Sequence, residues 1–397
     1  MFWKRKVTSK ICPSIPMPSA SRGFLPQGTV LRRSAVAILL LASCVSASPV
    51  RVATLGGDSR LLLDSSNLYH YPALVRQLAH VDVELFDDWV GIAVPIGSHH
   101  GMALMLNRPD EVQQEISAYL QSTGSRLLRS LRPTPWLDAI YGLQLRPGLS
   151  LGLGLRYDYD VRDRGIDEAS VSRWDSRFGI ALGSGHRRLD GTLQLGRVTL
   201  VDGSAGTPHE ESARNGYGFD LRGRWSLSDD VMLLPSVLWR RSTYGLATDW
   251  QQDEELRGAL SLNVRPAPNL LGIVSIVVAG HWQRADVSGD GRAASESRRW
   301  LLPGIVAGGE IQLGSLQFRL GARHESVVNE VDEPTGVDLS FATGLATDVG
   351  IGLEFGDFVI DGMLQKDFLR DGPHFLGGSS RGGGLLTTLS ILYRFYH

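Results

Sequence analysis

Residues 149–159 read Leu-Ser-Leu-Gly-Leu-Gly-Leu-Arg-Tyr-Asp-Tyr and alternate between two kinds of side chain without a break. Leu149, Leu151, Leu153, Leu155, Tyr157 and Tyr159 fall on one side; Ser150, Gly152, Gly154, Arg156 and Asp158 fall on the other. Successive side chains of an extended chain point to opposite faces, so this is a strand with one apolar and one polar face. The pattern recurs downstream. Tyr217, Phe219, Leu221 and Trp225 oppose Asp220, Arg222 and Arg224. Leu256, Leu260, Leu262 and Val264 oppose Arg257, Asn263 and Arg265. Leu316, Phe318 and Leu320 oppose Arg319 and Arg323, and Leu389, Ile391, Tyr393 and Phe395 oppose Ser390 and Arg394.

A soluble sandwich alternates as well, so three further features decide. The runs are about 10 to 14 residues long, against ~5–6 for strands of globular sheets and ~9–11 for a tilted strand crossing a bilayer. Aromatic residues gather near the strand ends (Tyr157 with Tyr159, Trp225, Trp239, Trp282, Trp300), where interfacial girdles place them. Connections alternate in length. Short ones lie near residues 146–148, 185–187, 228–230, 266–269, 314–315 and 355–357; long ones lie near 160–172, 202–214, 242–255, 285–298, 329–336 and 370–384. Short periplasmic turns and long outer loops are the habit of bacterial barrels.

The expected fold is therefore all-β: a transmembrane antiparallel β-barrel occupying residues 80–397. About thirteen strands follow residue 136. Val81–Phe86, Val90–Ile96 and Met102–Asn107 supply three more, for an even total of 14 to 16 with both ends on the periplasmic side. The closing strand at Leu389, Ile391, Tyr393 and Phe395 resembles the outer-membrane assembly signal, although the chain continues to Tyr396 and His397. The expected partners are outer-membrane lipid, the barrel-assembly machinery and a small solute of unread identity.

Residues 1–47 read as a secretory signal peptide. Arg32 and Arg33 precede an apolar stretch from Ala35 to Ala42, with small residues at Val45-Ser46-Ala47, and Met17 is a plausible start. Leu41-Ala42-Ser43-Cys44 offers a lipidation site as the alternative. Both cysteines, Cys12 and Cys44, precede the cleavage point, so the mature chain carries no disulfide or thiolate site. The net charge of -2 gives no electrostatic argument for binding nucleic acid.

Residues 48–79 are not strand-like. Gly56-Gly57, then Asp64, then Pro72-Ala73-Leu74 resemble the N-terminal segment of the long-chain fatty-acid transporter superfamily of outer-membrane barrels. That resemblance implies a plug threaded into the lumen and passive transport of a small, possibly hydrophobic molecule. Tyr71 stands where that family has Asn before the proline. On the residues alone, Gly56-Gly57 is a turn and Pro72 ends a short helix. A non-transporting structural or secretion-accessory barrel is the alternative function. A hydrophobic ligand leaving sideways would need a gap in the wall, for which Gly308-Gly309 is a candidate position.

Residues 108–134 form a helical insertion. Val112, Ile116 and Leu120 recur at helical spacing from Asp110, and Pro133 and Pro135 stop it. It reads as a lid over the pore or, more plainly, as a solvated loop helix. No catalytic constellation, metal set or cofactor loop stands out, so the chain reads as a non-enzyme without cofactor. The candidate lumen-lining residues are Arg156, Asp158, Asp220, Arg222, Arg224, Arg257, Arg265, Glu310, Arg319 and Arg323. They read either as internal ion pairs or as an anion-leaning path.

Overall fold

The computed structural model describes residues 48–78, 80–85, 88–163, 167–203, 210–247, 249–287, 295–333, 336–364 and 386–395. The expected signal peptide, Cys44 and the residues after Phe395 lie outside them.

Sixteen strands form the wall: β1 (His80–Glu84), β2 (Trp89–Ile96), β3 (His100–Leu106), β4 (Thr134–Arg146), β5 (Leu149–Asp163), β6 (Glu168–Ser184), β7 (Arg187–Gly203) and β8 (Glu210–Ser226). The second half holds β9 (Val231–Gly245), β10 (Asp249–Ala267), β11 (Leu270–Val287), β12 (Ser295–Leu313), β13 (Leu316–Glu333), β14 (Gly336–Phe355), β15 (Phe358–Leu364) and β16 (Leu386–Arg394). Each pairs antiparallel with its sequence neighbours, and β1 pairs with β16 from His80↔Arg394 to Glu84↔Ser390 to close the barrel. Closure pairs the strand edges that hydrocarbon would otherwise leave unsatisfied.

Thirteen strands follow residue 133, and the three short upstream runs are β1 to β3. Strands β4 to β14 run from 13 residues in β4 to 20 in β14, most of them longer than the sequence pattern suggests. The connection expected over 160–172 shrinks to 164–167, because Asp160–Asp163 pair with Glu168–Val171. Polar residues there read as loop. Above the bilayer, polar strands still satisfy one another's backbone, so the ladder runs on. The short turns fall where the pattern puts them, at the end that carries both ends of the barrel.

Gly308 and Gly309 are not a gap. Gly308 pairs with Ile273 and Gly321, and Gly309 with Gly272 and Leu320. The register instead slips between Leu301 and Ile305, around Pro303, which has no N–H to give to a ladder.

The polarity is inverted relative to a soluble protein. Leu151, Leu155, Phe178, Leu193, Leu260, Ile276 and Leu320 are exposed on the outer face, whereas Arg156, Asp158, Arg173, Arg222 and Arg319 are buried inside. An arginine facing lipid at mid-bilayer costs ~2–4 kcal/mol, so the register that hides every one of these is strongly selected.

Candidate functional site: the occupied lumen

Residues 48–78 lie inside the barrel. Helix α1 (Pro49–Thr54) packs against β13, β14, β15 and β16, and a 3-10 turn at Ser59–Leu61 meets β9 and β10. A second turn, Ser65–Tyr69, leads to a third, Pro72–Gln77, which packs against β2 to β6. The segment thus reaches opposite sides of the wall.

Its local structure follows from few residues. Gly56 (φ +129°) and Gly57 (φ +79°) reverse the chain after α1, in a region that side chains disfavour. Asp64 caps the second turn: its carboxylate accepts from Ser66 N–H, and the Asn67 side chain accepts from Asp64 N–H. Pro72 begins the third turn instead of ending a helix; its missing N–H is an orphan donor at that position in any case.

The wall grips this segment through polar side chains. Arg51 donates to Glu310 at 2.7 Å and lies 3.4 Å from Asp64. Glu310 also accepts from Arg319, which donates to Asp361, and Asp361 accepts from Ser48 at 2.6 Å. Asp220 accepts from both Arg60 and Tyr71 at 2.6 Å. Arg222 donates to Asn67 at 2.7 Å, pairs with Asp190 at 3.1 Å and stacks 4.5 Å from the Tyr71 ring centre. Ser261 and Asn263 donate to the Leu61 carbonyl, and Arg177 to that of Tyr69. Burial pushes the Asp64 carboxyl up to about 6 against the pull of Arg51.

Glycines of the wall make room for the backbone. A methyl group at Gly152 would sit 2.3 Å from the Pro72 carbonyl carbon and the Ala73 nitrogen; one at Gly321 would sit 2.2 Å from the Thr54 carbonyl oxygen. These contacts are with backbone and cannot rotate away. Gly152→Val is expected to expel the third turn, exceeding the ~1–3 kcal/mol usual for overpacking. Arg76 should then become cleavable by trypsin while the barrel keeps its heat-modifiable mobility. Unchanged protection would refute the seat.

At the opposite end from the short turns, helix α2 (Glu111–Ser122) fills the mouth. Ile116, Tyr119 and Leu120 pack with Ala169 and Val171 of β6, Val198 and Leu200 of β7, and Tyr244 of β9. The solvated reading of this helix is thus corrected: the apolar stripe finds an apolar inner wall above the bilayer. The helix also stops earlier than its prolines suggest, because the hydroxyls of Ser122 and Thr123 donate to the carbonyls of Tyr119 and Leu120. Arg126 and Arg129 lie beyond its end.

On the polar side of α2, Arg240 is held by Glu111 at 3.1 Å, Glu115 at 2.7 Å and Glu255 at 2.8 Å, with Asp253 and His281 beside them. Burial, then the nearby carboxylates of Asp253 and Glu111, push the Glu115 carboxyl from 4.5 up to about 7 against the pull of Arg240. The docked helix therefore holds a proton that the free helix releases between those values. Docking is firmest below the lower value and weakens as pH rises through the upper one. Glu115→Gln should flatten this dependence. A fluorophore on α2 that reports the same pH profile in both proteins would contradict the assignment.

Between the segment and α2 lies a chamber of about 450 Å³. Arg60, Arg108, Arg156, Arg177, Arg240 and Arg257 line it, together with four carboxylates and the apolar side chains of Val52, Ala53, Trp89 and Leu238. Among the described residues no three His, Cys, Asp or Glu side chains are arranged to hold a metal ion.

Each sequence-predicted lumen residue can now be placed. Arg156 pairs with Asp158 at 2.8 Å, Arg224 with Asp190 at 3.1 Å, Arg257 with Asp58 at 3.0 Å and Arg323 with Glu325 at 3.1 Å. Asp220, Arg222 and Glu310 hold the segment directly, and Arg319 braces Glu310 and Asp361 behind it. Arg265 sits at the turn end of β10, its N–H donating to the Asp230 carbonyl. Sequence reasoning passed over Asp138, Arg173, Asp175, Arg177 and Asp190. Asp138 binds Arg177 and Arg108, and Arg173 binds Asp110 and Asp175. Their signal was available: Arg173, Asp175 and Arg177 alternate with the outward Trp174 and Phe178.

Closure, an apolar exterior and a charged, filled interior together decide the class. The protein is an outer-membrane β-barrel. Its sequence matches no family model and no curated protein. Solved structures similar to this barrel include the ferric yersiniabactin uptake receptor FyuA from Yersinia pestis, at 11% identity and a TM-score of 0.38 over 58% of this chain and 44% of that one. The barrel thus spans less than half of that receptor's length. The CymD monoaromatic hydrocarbon channel aligns at 11% identity and a TM-score of 0.37 over 89% of this chain and 98% of that one. The beta domain of the Bordetella autotransporter BrkA aligns at 12% identity and 0.26, over 80% and 96%. With TM-scores below 0.5, the barrel rests on its own strand pairing, and no comparison assigns it to the fatty-acid transporter superfamily.

Proposed function

We propose that this barrel passes a small solute passively across the outer membrane, with residues 48–78 acting as a plug that must shift for passage. The observation that carries this reading is the polar grip on the segment. Hydrogen bonds and ion pairs tie it to β7, β8, β10, β12 and β15, and water can replace these one at a time as the segment moves. A net contribution of only ~0.5–1.5 kcal/mol per hydrogen bond makes such an interface releasable. The chamber has the size of a small-molecule site, within the ~300–1,000 Å³ usual for ligand pockets.

The density of ion pairing favours a second reading, a static barrel that transports nothing and serves structure or secretion. Proteoliposome swelling separates the two. Solute-driven swelling that increases in Gly152→Val supports the plug. Proteoliposomes that stay impermeable with both proteins overturn the transport reading in favour of the static barrel.

A further inference from the structure

The geometry points to the chamber between the plug and α2 as a binding site for a compact organic anion: a carboxylate, sulfonate or phosphate group on a small apolar body. This deepens the transport reading and rests on it for the ligand's role as cargo.

The argument begins with charge placement. Six arginines line the chamber against four carboxylates. Most are anchored from behind, Arg60 by Asp220, Arg156 by Asp158 and Arg177 by Asp138, so their guanidinium groups are held in place without a ligand. Preorganised charge costs little at the moment of binding.

Two of the six keep donors to spare. Arg108 donates Nε and Nη2 to Asp138 and has no acceptor for Nη1 among the described residues, while Arg257 lies 3.0 Å from Asp58 without a hydrogen bond and its buried Nε has no partner among the described residues. Arg108 also lies 4.5 Å from the ring centre of Tyr69, which meets Trp89 edge-on at 5.9 Å. A planar apolar body beside that pair would set its oxyanion toward guanidinium N–H groups, which favour two-oxygen acceptors.

His70 reports the local field. It lines the same chamber, and its Nδ1 lies 3.2 Å from Arg60. Burial, then the charges of Arg60, Arg108 and Arg177, hold its imidazole well below the usual value, despite Asp58. Burial alone would oppose a charge of either sign there; the three arginines oppose a cation and favour an anion. Pro109 and Asp110, with Glu111 and Val112 at the start of α2, close the same space.

The test is a charge series of equal size: benzoate, benzamide and benzylamine, with inorganic phosphate as an anion lacking the apolar body. Calorimetric titration of the full chain in detergent should show benzoate binding at least about tenfold tighter than benzamide, a difference of ~1.4 kcal/mol. Benzylamine should not bind. Arg108→Gln should abolish the preference, and Arg108→Lys should restore part of it. Arg108 is the suitable position because Asp138 keeps Arg177 when it is lost. Arg257→Gln is the second variant should Arg108→Gln fail to give a heat-modifiable barrel. Equal binding of all three aromatic probes, or a preference untouched by both variants, overturns the site. Phosphate binding as tightly as benzoate overturns the apolar half. Selective binding without flux would sink the transport reading alone; flux without charge preference would sink only the anion site.

Discussion

A chain lacking residues 388–397 does not assemble into the membrane. The deletion removes most of β16, whose residues pair with His80–Glu84 on one side and with Phe358–Met363 on the other. Both neighbours would then present open edges to hydrocarbon, where each unsatisfied backbone group costs several kcal/mol. The truncation also removes Leu389, Ile391, Tyr393 and Phe395. Tyr393 and Phe395 pack edge-to-face at 5.1 Å, and Tyr393 lies 4.6 Å from Phe358. The expected result is a protease-sensitive chain with no heat-modifiable band. A normal heat-modifiable barrel from this truncation would show that another strand closes the wall.

Deletion of residues 48–78 has the second large effect: the barrel is expected to conduct. In the intact protein these residues occupy the lumen and leave a chamber of about 450 Å³. Their removal uncovers Asp220, Arg222, Glu310 and Asp361, all of which lose a partner in the segment, and with them Arg319, which pairs with Glu310 and Asp361. A soluble core could not tolerate that loss. Here, water enters and solvates the freed groups, as it does in open barrels with polar interiors. Planar-bilayer recordings should show steady conductance at least about tenfold above that of the intact protein. Silence in both proteins, with assembly confirmed by heat-modifiable mobility, would remove the channel.

Much of the wall was legible because period two is a local signal. The run from Leu149 to Tyr159 announces β5 and both of its faces, and Val81, Val90 and Met102 mark β1 to β3 despite their brevity. What period two cannot encode is who stands opposite whom. Asp138 and Arg177 lie 39 positions apart, and their contact depends on the register of β4, β5 and β6. The plug could be glimpsed from Gly56, Gly57, Asp64 and Pro72. Its seats could not, since Gly142, Gly152 and Gly179 look like ordinary small residues until three strands align them beneath Pro72, Ala73 and Val75. The fate of α2 was ambiguous for a related reason: an apolar stripe requires a surface to cover, but does not name it.

The plug also sets the order of events during biogenesis. A chain entering the periplasm N-terminus first delivers Ser48 long before Asp361, its partner 313 positions later. Arg51 waits similarly for Glu310, 259 positions on, and β1 waits for β16. Such distant pairings carry a large loop-closure cost and form late. Ser48, Arg51 and the outer edge of β1 therefore wait longest for their partners, whereas Pro72–Gln77 meets β2 to β6 and β1 meets β2 much earlier in the chain. The segment is thus anchored from its C-terminal end first and from Ser48 and Arg51 last: the third turn and β1 lie beside strands made early, whereas the partners of Ser48 and Arg51 are made near the end.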